Sequence, residues 1–246
     1  MRAPLTALTA LTAWAILAAP LVALPTASAA GCTTPELVNA SVTPGTVVLG
    51  TSQAKGIEIT VRVRERGCAV RVATDVFTAT DYVDTLEMEE VGTSAGVTTY
   101  VAGARINPGA FPNRDAGTFR TSVYASWGKK TISDDGPTFR LLRATRLSTD
   151  PSPEPVRKGR TVTVSGTLQR ADWQTLRYTG YTQRDVQLQF KPTGGSWAAV
   201  KTATSGKSGR LSTTVKAGQD GCYRFVFGGS STTAKATSGA DCVDVR

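Results

Sequence analysis

The sequence predicts an all-β protein with two tandem sandwich domains behind an N-terminal targeting segment. Short runs of alternating apolar and polar residues recur along the chain, and no run after the targeting segment has the apolar period of an α-helix. A proline-rich stretch divides these runs into two groups. Two cysteines lie near each end of the remaining chain, which allows one disulfide in each domain.

The first 29 residues have the features of a Sec signal peptide. Arg2 supplies a basic tip, an uncharged run extends to Leu24, and Ala27-Ser28-Ala29 matches the A-x-A cleavage box. We therefore predict a secreted, extracellular protein whose mature chain begins near Ala30. The apolar run is also long enough to span a bilayer, so an uncleaved N-terminal anchor is the alternative.

The even number of cysteines in an exported chain predicts two disulfides, Cys32 with Cys68 and Cys222 with Cys242. Cys32 has a second interpretation, because Ala29-Ala30-Gly31-Cys32 is similar to a bacterial lipobox. Lipidation of Cys32 would make the protein a surface lipoprotein and leave Cys68 unpaired. A zinc site is not expected, because the chain has no CxxC pair and no histidine.

The first predicted domain, residues 30–145, contains several strand signals. In Gly56–Arg64, isoleucines and valines alternate with polar residues, which predicts a strand with one buried and one solvated face. Turn-rich segments such as Asn107-Pro108-Gly109 separate runs of the same kind. These other runs are 38–48, 69–74, 98–106, 118–126 and 137–142. The first half as a whole supplies about seven short strands, the number and spacing of a β-sandwich.

The stretch Ser148–Pro155 contains three prolines, which remove ladder donors and fix an extended backbone. We predict a linker at 146–155 and a second domain at 156–246. Alternation resumes there, with glycine-rich breaks at the turns. The apolar positions are Val162, Val164 and Leu168; Val186, Leu188 and Phe190; Leu211 and Val215; Tyr223, Phe225 and Phe227; and Val243 and Val245.

The segments Asp115–Phe119 and Asp220–Tyr223 precede the penultimate strand of each half. Both are similar to the tyrosine corner of immunoglobulin domains, where a tyrosine hydroxyl bonds to upstream backbone. The match is partial, because the first segment has phenylalanine. The pattern nevertheless favours two immunoglobulin-like sandwiches.

The second half also resembles the C-terminal immunoglobulin-like domain of uncharacterised secreted actinobacterial proteins. The resemblance covers about 100 residues, the usual size of one such domain. It implies the fold and an extracellular location, and it implies no reaction and no ligand residues. The residues that carry it are 149–159, 162–173, 178–181, 186–190, 220–224 and 241–245.

The net charge of +9 is unevenly placed. Residues 30–143 contain 12 basic and 12 acidic residues, whereas residues 144–246 contain 15 and 7, so the second half carries +8. Such asymmetry favours anionic partners, here an anionic cell-wall polymer or polysaccharide. Export makes a nucleic-acid partner improbable, and no motif for a small-molecule cofactor is present.

The most distinctive polar patch is a connection in the second half that does not alternate. Its tryptophan and tyrosines could stack on sugars, and its arginines could pair with acids, so we predict a ligand-binding patch there. The alternative is that the tryptophan and one tyrosine fold inward and close the end of the sandwich. The predicted patch consists of Arg170, Trp173, Arg177, Tyr178, Tyr181 and Arg184.

Catalytic motifs are weak. Gly92–Gly96 fits the pattern G-x-S-x-G, but a serine nucleophile in that motif needs a histidine base, and the chain has no histidine. Ser52–Lys55 fits the pattern S-x-x-K. Neither serine is predicted at the start of a helix. Five acidic residues form one cluster, which we interpret as a solvated strand edge, with a calcium site as the alternative. They are Asp81, Asp84, Glu87, Glu89 and Glu90.

These observations predict a secreted, non-catalytic binding or structural module of the cell envelope or extracellular space. The alternative is an extracellular hydrolase that uses Asp/Glu pairs, or a carbohydrate- or calcium-binding accessory subunit of such an enzyme.

Overall fold

The computed structural model describes residues 31–246, which form two compact units built almost entirely of strands. The predicted signal peptide lies outside the described residues. The first unit comprises the residues up to Val47 together with Ala54–Asn107 and Gly117–Leu141. The second comprises Val48–Gln53, Pro108–Ala116 and Leu142–Arg246. The all-β prediction is confirmed.

The N-terminal half contains ten strands in two sheets, in which most neighbouring strands are antiparallel. One sheet has the order β1-β3-β7-β6, and the other has the order β2-β10-β8-β4-β5, with β9 also paired to β8. The strands are β1 (Glu36–Thr43), β2 (Thr46–Leu49), β3 (Lys55–Arg64), β4 (Arg71–Phe77), β5 (Tyr82–Glu87), β6 (Glu89–Ser94), β7 (Val97–Ile106), β8 (Gly117–Trp127), β9 (Lys130–Asp135) and β10 (Phe139–Arg143).

This strand order is that of an immunoglobulin-like sandwich. Strands β9 and β10 pair with successive parts of β8, so together they form one interrupted final strand. In the usual lettering the sheets are ABED and A′GFCC′, the immunoglobulin constant-type arrangement with added A′ and C′ strands. The prediction of an immunoglobulin-like fold is therefore confirmed for this half.

The alternation predicted for residues 56–64 positions the core of the first unit. Ile57, Ile59, Val61 and Val63 are buried, and the intervening Arg62 is exposed. The central place of β3 between β1 and β7 explains this burial, because both of its edges are paired and one face is covered.

The C-terminal half contains ten further strands, again in two sheets. In one, the long β13 pairs with β11 and β12 along one edge and with β17 and β14 along the other. In the other the order is β16-β15-β18, with β19 and β20 both on the free edge of β18. The strands are β11 (Thr145–Leu147), β12 (Asp150–Ser152), β13 (Thr161–Asp172), β14 (Arg177–Gly180), β15 (Asp185–Pro192), β16 (Ala198–Thr204), β17 (Arg210–Lys216), β18 (Gly221–Phe227), β19 (Ala236–Thr237) and β20 (Asp241–Val243).

The two sheets of the second unit share one hydrophobic core. The alternating apolar positions predicted from the sequence supply most of it, because the side chains of every second residue point to the same face of a strand. The core members are Val156, Val162, Val164, Leu168, Tyr181, Val186, Leu188, Ala203, Leu211, Ala217, Tyr223, Phe225, Phe227 and Val243.

The proline-rich segment at 146–155 contains β12 and most of β11, and both strands pair with β13. Pro151 lies opposite Val164 in this ladder. A proline has no N–H to donate, and β12 is an edge strand, where this loss is tolerated. These residues are thus part of a sheet of the second unit.

Both predicted disulfides are present, Cys32 with Cys68 and Cys222 with Cys242. The second joins directly opposed positions on β18 and β20. Two disulfides indicate an oxidising environment. None of the helices in residues 31–246 has the length and apolar character needed to cross a membrane.

The predicted tyrosine corner is not formed at Tyr223. Its ring packs on Phe190 with centroids 4.8 Å apart, and within residues 31–246 its hydroxyl has no hydrogen-bond partner. Burial raises the pKa of this phenol. Tyr223 is instead a core residue of the second unit.

Candidate functional site

The predicted ligand-binding patch covers the end of β13, a turn, β14 and the loop that leads to β15. The structure divides its residues into three groups. Trp173 is fully buried. Tyr178 is half-buried, with Arg146 over its ring. Tyr181 is buried, and the guanidinium groups of Arg170 and Arg184 lie over its ring. The three aromatic side chains therefore do not form one exposed surface.

Trp173 is a structural residue with no exposed ring face. Its side chain is 0% exposed, and its indole Nε1 donates a hydrogen bond of 3.1 Å to the carbonyl oxygen of Leu49. Its backbone N–H donates to Asn113 Oδ1 at 3.0 Å. This is the inward-folding alternative of the sequence analysis, and it leaves no surface of the ring for stacking on a sugar.

Asp172 organises the turn that follows β13. Its Oδ1 accepts hydrogen bonds from the backbone N–H groups of Gln174 and Thr175 and from Asn113 Nδ2, at 3.0 to 3.1 Å. The bond from Asn113 is the largest influence that lowers the pKa of this carboxyl. Such an Asx turn presents the next residues at the surface, and Arg177 is accordingly exposed.

Tyr178 and Arg146 form a separate cation–π pair. The guanidinium carbon of Arg146 lies 3.8 Å from the centre of the Tyr178 ring. The pair covers one face of the ring, so Tyr178 is only half-exposed. An interaction of this kind contributes about 0.5–1 kcal/mol at exposed sites.

Tyr181 is the centre of the most polar part of the site. Its ring is 4% exposed, and the guanidinium carbons of Arg170 and Arg184 lie 4.0 and 4.7 Å from its centroid. Its hydroxyl donates to Ser230 Oγ at 3.5 Å, and its edge contacts Phe227. Tyr181 thus connects the core to two cations.

The surroundings of Tyr181 change its acidity. Burial is the largest single influence, and it raises the pKa of the phenol. The hydroxyls of Ser230 and Thr233 and the charges of the two arginines lower it by more in total, so the pKa of Tyr181 lies below its usual value. Hydrogen bonding and nearby positive charge both favour the ionised phenol, and here the hydroxyls contribute more than the arginines.

Arg143, which the sequence analysis did not single out, belongs to the same site. It is 5% exposed, and its Nε donates a 2.6 Å hydrogen bond to the carbonyl oxygen of Ala171. Burial, followed by the charge of Arg170, lowers its pKa to about 10, so Arg143 remains protonated at neutral pH. The available signal was a charged residue directly after the apolar Leu141-Leu142. We call Arg143, Arg170 and Arg184 the arginine cluster.

The acidic residues proposed as an alternative calcium site lie on or beside two edge strands, β5 and β6, which belong to different sheets. Met88 is buried between these strands. Within residues 31–246, no three His, Cys, Asp or Glu side chains are close enough together to hold a metal ion. Ser94 of the G-x-S-x-G pattern ends β6, next to the turn into β7.

Comparisons with known proteins place the chain in no family. No family model matches it, and no curated protein is similar to it at a significant level. Solved structures that are similar include the N-terminal eight Ig domains of Down Syndrome Cell Adhesion Molecule, with 13% identity over 88% of this chain and 25% of that chain and a TM-score of 0.43. Two bacterial structures are also similar.

The first is dimeric latent PorU from Porphyromonas gingivalis, with 16% identity over 87% of this chain and a TM-score of 0.32. The second is protein lmo2446 from Listeria monocytogenes, in complex with glucose, magnesium and calcium, with 14% identity over 75% of this chain and a TM-score of 0.37. This chain spans 20% and 17% of these two chains, respectively. At such identities and TM-scores, the similarities carry no argument about function.

Proposed function

We propose that this protein is a secreted, non-catalytic binding module that attaches to anionic polymers of the cell envelope or its surroundings through the second unit. The observation that carries the proposal is a large set of unpaired cations. Of the 15 lysines and arginines in residues 144–246, only Arg246 makes an ion pair with a described carboxylate, at 3.8 Å from Asp244.

Unpaired surface cations favour a polyvalent acidic partner. Each exposed charge alone contributes little, because water and salt screen it over about 8 Å at physiological ionic strength. A polymer with regularly spaced acidic groups meets many of these charges at once, and its long-range attraction also speeds encounter. Arginine is suited to this role because its planar guanidinium pairs with phosphate, sulfate or carboxylate through two hydrogen bonds.

The proposal of a non-catalytic role is based on the chemistry available in the chain. The absence of histidine removes the usual general base for serine and cysteine nucleophiles. The secretory part of the proposal is supported by the two disulfides and by the signal-peptide pattern of residues 1–29.

A matched pair of polymers tests the binding role. Dextran sulfate and dextran share a backbone and differ in charge, so the protein should be retained by the first and pass through the second. The double variant Arg177→Glu/Arg184→Glu should lose most of this retention, because both side chains are exposed on the second unit. The control Arg62→Glu/Arg105→Glu makes the same change in charge on exposed positions of the first unit and should keep it.

Equal retention on both polymers, or equal loss in both variants, would contradict the proposal. The non-catalytic part is tested separately, by incubating the protein with glycerol-phosphate polymers and polysaccharides and measuring released reducing ends and phosphate. Turnover that disappears on substitution of a carboxylate would establish the hydrolase alternative instead.

A further inference from the structure

We infer that the arginine cluster, together with the hydroxyl of Thr233, is a built site for a single oxyanion group, a phosphate, sulfate or carboxylate carried on a larger ligand. This inference deepens the proposed function, on which it rests. It names one place in the second unit and one chemical group.

Arg143 is a buried cation, with 5% of the residue exposed. Only Nε of its guanidinium has a hydrogen-bond partner among residues 31–246, and no described carboxylate lies within ion-pair distance. A buried charge is costly unless it is paired, and an arginine has five N–H donors to satisfy. A structural role for Arg143 in holding Ala171 would use one of these donors and leave the charge without an ion-pair partner.

Further positive charge lies beside Arg143. Its Nε bonds to the carbonyl oxygen of Ala171, the residue that directly follows Arg170 on β13, and Thr145 lies opposite Arg170 in the β11–β13 ladder. Arg170 also continues the alternation of Val162, Val164 and Leu168, so it lies where the inner face of β13 reaches the end of the core.

The two arginines are close enough for the charge of Arg170 to lower the pKa of Arg143. The carboxylate of Asp172 acts in the opposite direction, but its Oδ1 already accepts three hydrogen bonds. Like charges repel at this distance, and an anion between the two arginines would offset that repulsion.

A buried hydroxyl lies on the segment that pairs with Arg143. Thr233 is 0% exposed, and its Oγ1 makes no hydrogen bond of normal geometry within the described residues. Thr233 and Arg143 form a parallel β-bridge, supported by bonds from Arg143 N to Thr232 O and from Ala234 N to Arg143 O. A buried hydroxyl without such a bond is unusual. The Thr233 hydroxyl also lowers the pKa of Tyr181, so it lies near that phenol, and an oxyanion could accept a hydrogen bond from it there.

The site combines buried and exposed residues. Arg184 and Ser231 are exposed, whereas Arg143, Tyr181 and Thr233 are buried. An acidic group on a chain could therefore enter past Arg184 while the rest of the polymer stays outside. The buried donors would bind the group itself, and the exposed cations of the unit would bind its neighbours along the polymer.

The test uses small anions, which reach the site without any polymer. The disulfide-bonded protein is titrated with sodium phosphate, sulfate or acetate against chloride at constant ionic strength and neutral pH, by calorimetry and by backbone amide NMR. We expect saturable binding of at least one of the three oxyanions, with shifts centred on the amides of Ala171, Thr233 and Ala234. The oxyanion that binds tightest identifies the acidic group of the ligand.

Variants separate a binding site from a purely structural arginine. Arg143→Gln should weaken anion binding at least tenfold, whereas Arg224→Gln should leave it unchanged. Arg224 is a matched control in the same unit because, like Arg143, it donates a hydrogen bond through Nε, here to Gln189 Oε1 at 2.8 Å. Thr233→Val should weaken anion binding several-fold and change the melting temperature little, because Thr233 Oγ1 makes no hydrogen bond of normal geometry among residues 31–246.

Thr233→Val also keeps the inference testable if Arg143→Gln does not fold. The inference would be overturned by amide chemical-shift changes that do not saturate or that are spread over the whole protein. It would also be overturned if the wild type and Thr233→Val bound anions with equal affinity. Retention of the wild type on dextran sulfate is measured in parallel. If retention persists while small anions do not bind, the site is wrong and the proposed function stands; if retention is absent, the proposed function fails on its own.

Discussion

Replacing Trp173 with alanine should destabilise the second unit, because its side chain is fully buried and donates a hydrogen bond to Leu49. Truncating a buried aromatic residue costs about 3–5 kcal/mol. Urea unfolding followed by circular dichroism measures this loss. Trp197→Ala is the control and should cost far less, since Trp197 is only half-buried. Wild-type stability of Trp173→Ala combined with lost polymer retention would show that the ring faces a ligand.

Two buried tyrosines should give opposite pH dependences of stability. Burial, together with the hydrogen bond to Glu65, raises the pKa of Tyr100, whereas the pKa of Tyr181 is lowered. The contribution of Tyr100 to the free energy of unfolding is complete below the unfolded-state pKa of about 10, and it is lost as the pH rises further. The contribution of Tyr181 is present above a pH of about 10, and it is lost as the pH falls through the pKa of Tyr181 in the folded protein.

These opposite pH dependences can be checked by measuring the free energy of unfolding at about pH 9 and about pH 11 in the wild type and in the two phenylalanine variants. Tyr100→Phe should reduce the loss of stability between the two values relative to wild type, and Tyr181→Phe should increase it. Changes of the same sign in both variants would contradict the charge environment described for Tyr181.

At the scale of the element, the turn before β17 depends on one glycine. Gly209 has a φ of +76°, and a Cβ there would collide with the carbonyl oxygen of Leu168. Gly206 lies in the same turn with a φ of −90°, and the nearest atom to its Cβ would be 3.7 Å away. The two glycines therefore form a matched pair.

Gly209→Ala should lower the free energy of unfolding by more than the roughly 1–3 kcal/mol of backbone strain alone, because the collision adds to it. Gly206→Ala should change it by less than about 0.5 kcal/mol. Chemical denaturation measures both. Equal effects of the two substitutions would mean that β13 and this turn do not approach each other closely.

The pairing of β18 with β20 depends in part on the disulfide between Cys222 and Cys242. Closing the loop of 20 residues between Cys222 and Cys242 stabilises the folded state by about 3 kcal/mol. Closing the loop of 36 residues between Cys32 and Cys68 stabilises it by about 4 kcal/mol. Serine substitution of each pair should lower the stability of the unit that contains it by about these amounts, as measured by calorimetry. No change on replacing Cys222 and Cys242 would show that the ladder alone holds β20.

The sequence was informative where strands have a buried face. Period-two alternation is a local signal, so the central strands β3, β13 and β18 could be predicted. Edge strands lack this signal, because every residue of β6 is exposed, as are six of the seven in β16. Consequently β16 was not predicted, and β6 was indicated only by its acidic residues Glu89 and Glu90. The site was less predictable, because Trp173 is buried by residues near positions 49 and 113, and Arg143 meets Thr233 only in the folded unit.

At the scale of the whole molecule, the dominant feature is the separation of charge along the chain. Residues 30–143 are neutral in sum, and residues 144–246 carry +8. Most acidic groups of the first half lie at strand edges or pair locally, as Glu36 does with Arg64 and Arg66 at 2.7 Å. Both arginines lower the pKa of Glu36. The cations of the second half have almost no such partners, so their field is available to an outside polyanion.

The most direct test of this account is the dissociation constant of the protein for a glycerol-phosphate polymer, measured beside a neutral polymer of equal length over a salt series. Sodium chloride from about 50 to about 500 mM shortens the screening length several-fold. The account predicts binding to the phosphate polymer only, with an affinity that falls steadily as salt rises. Equal affinity for the neutral polymer, or an affinity for the phosphate polymer that does not change with salt, would contradict it.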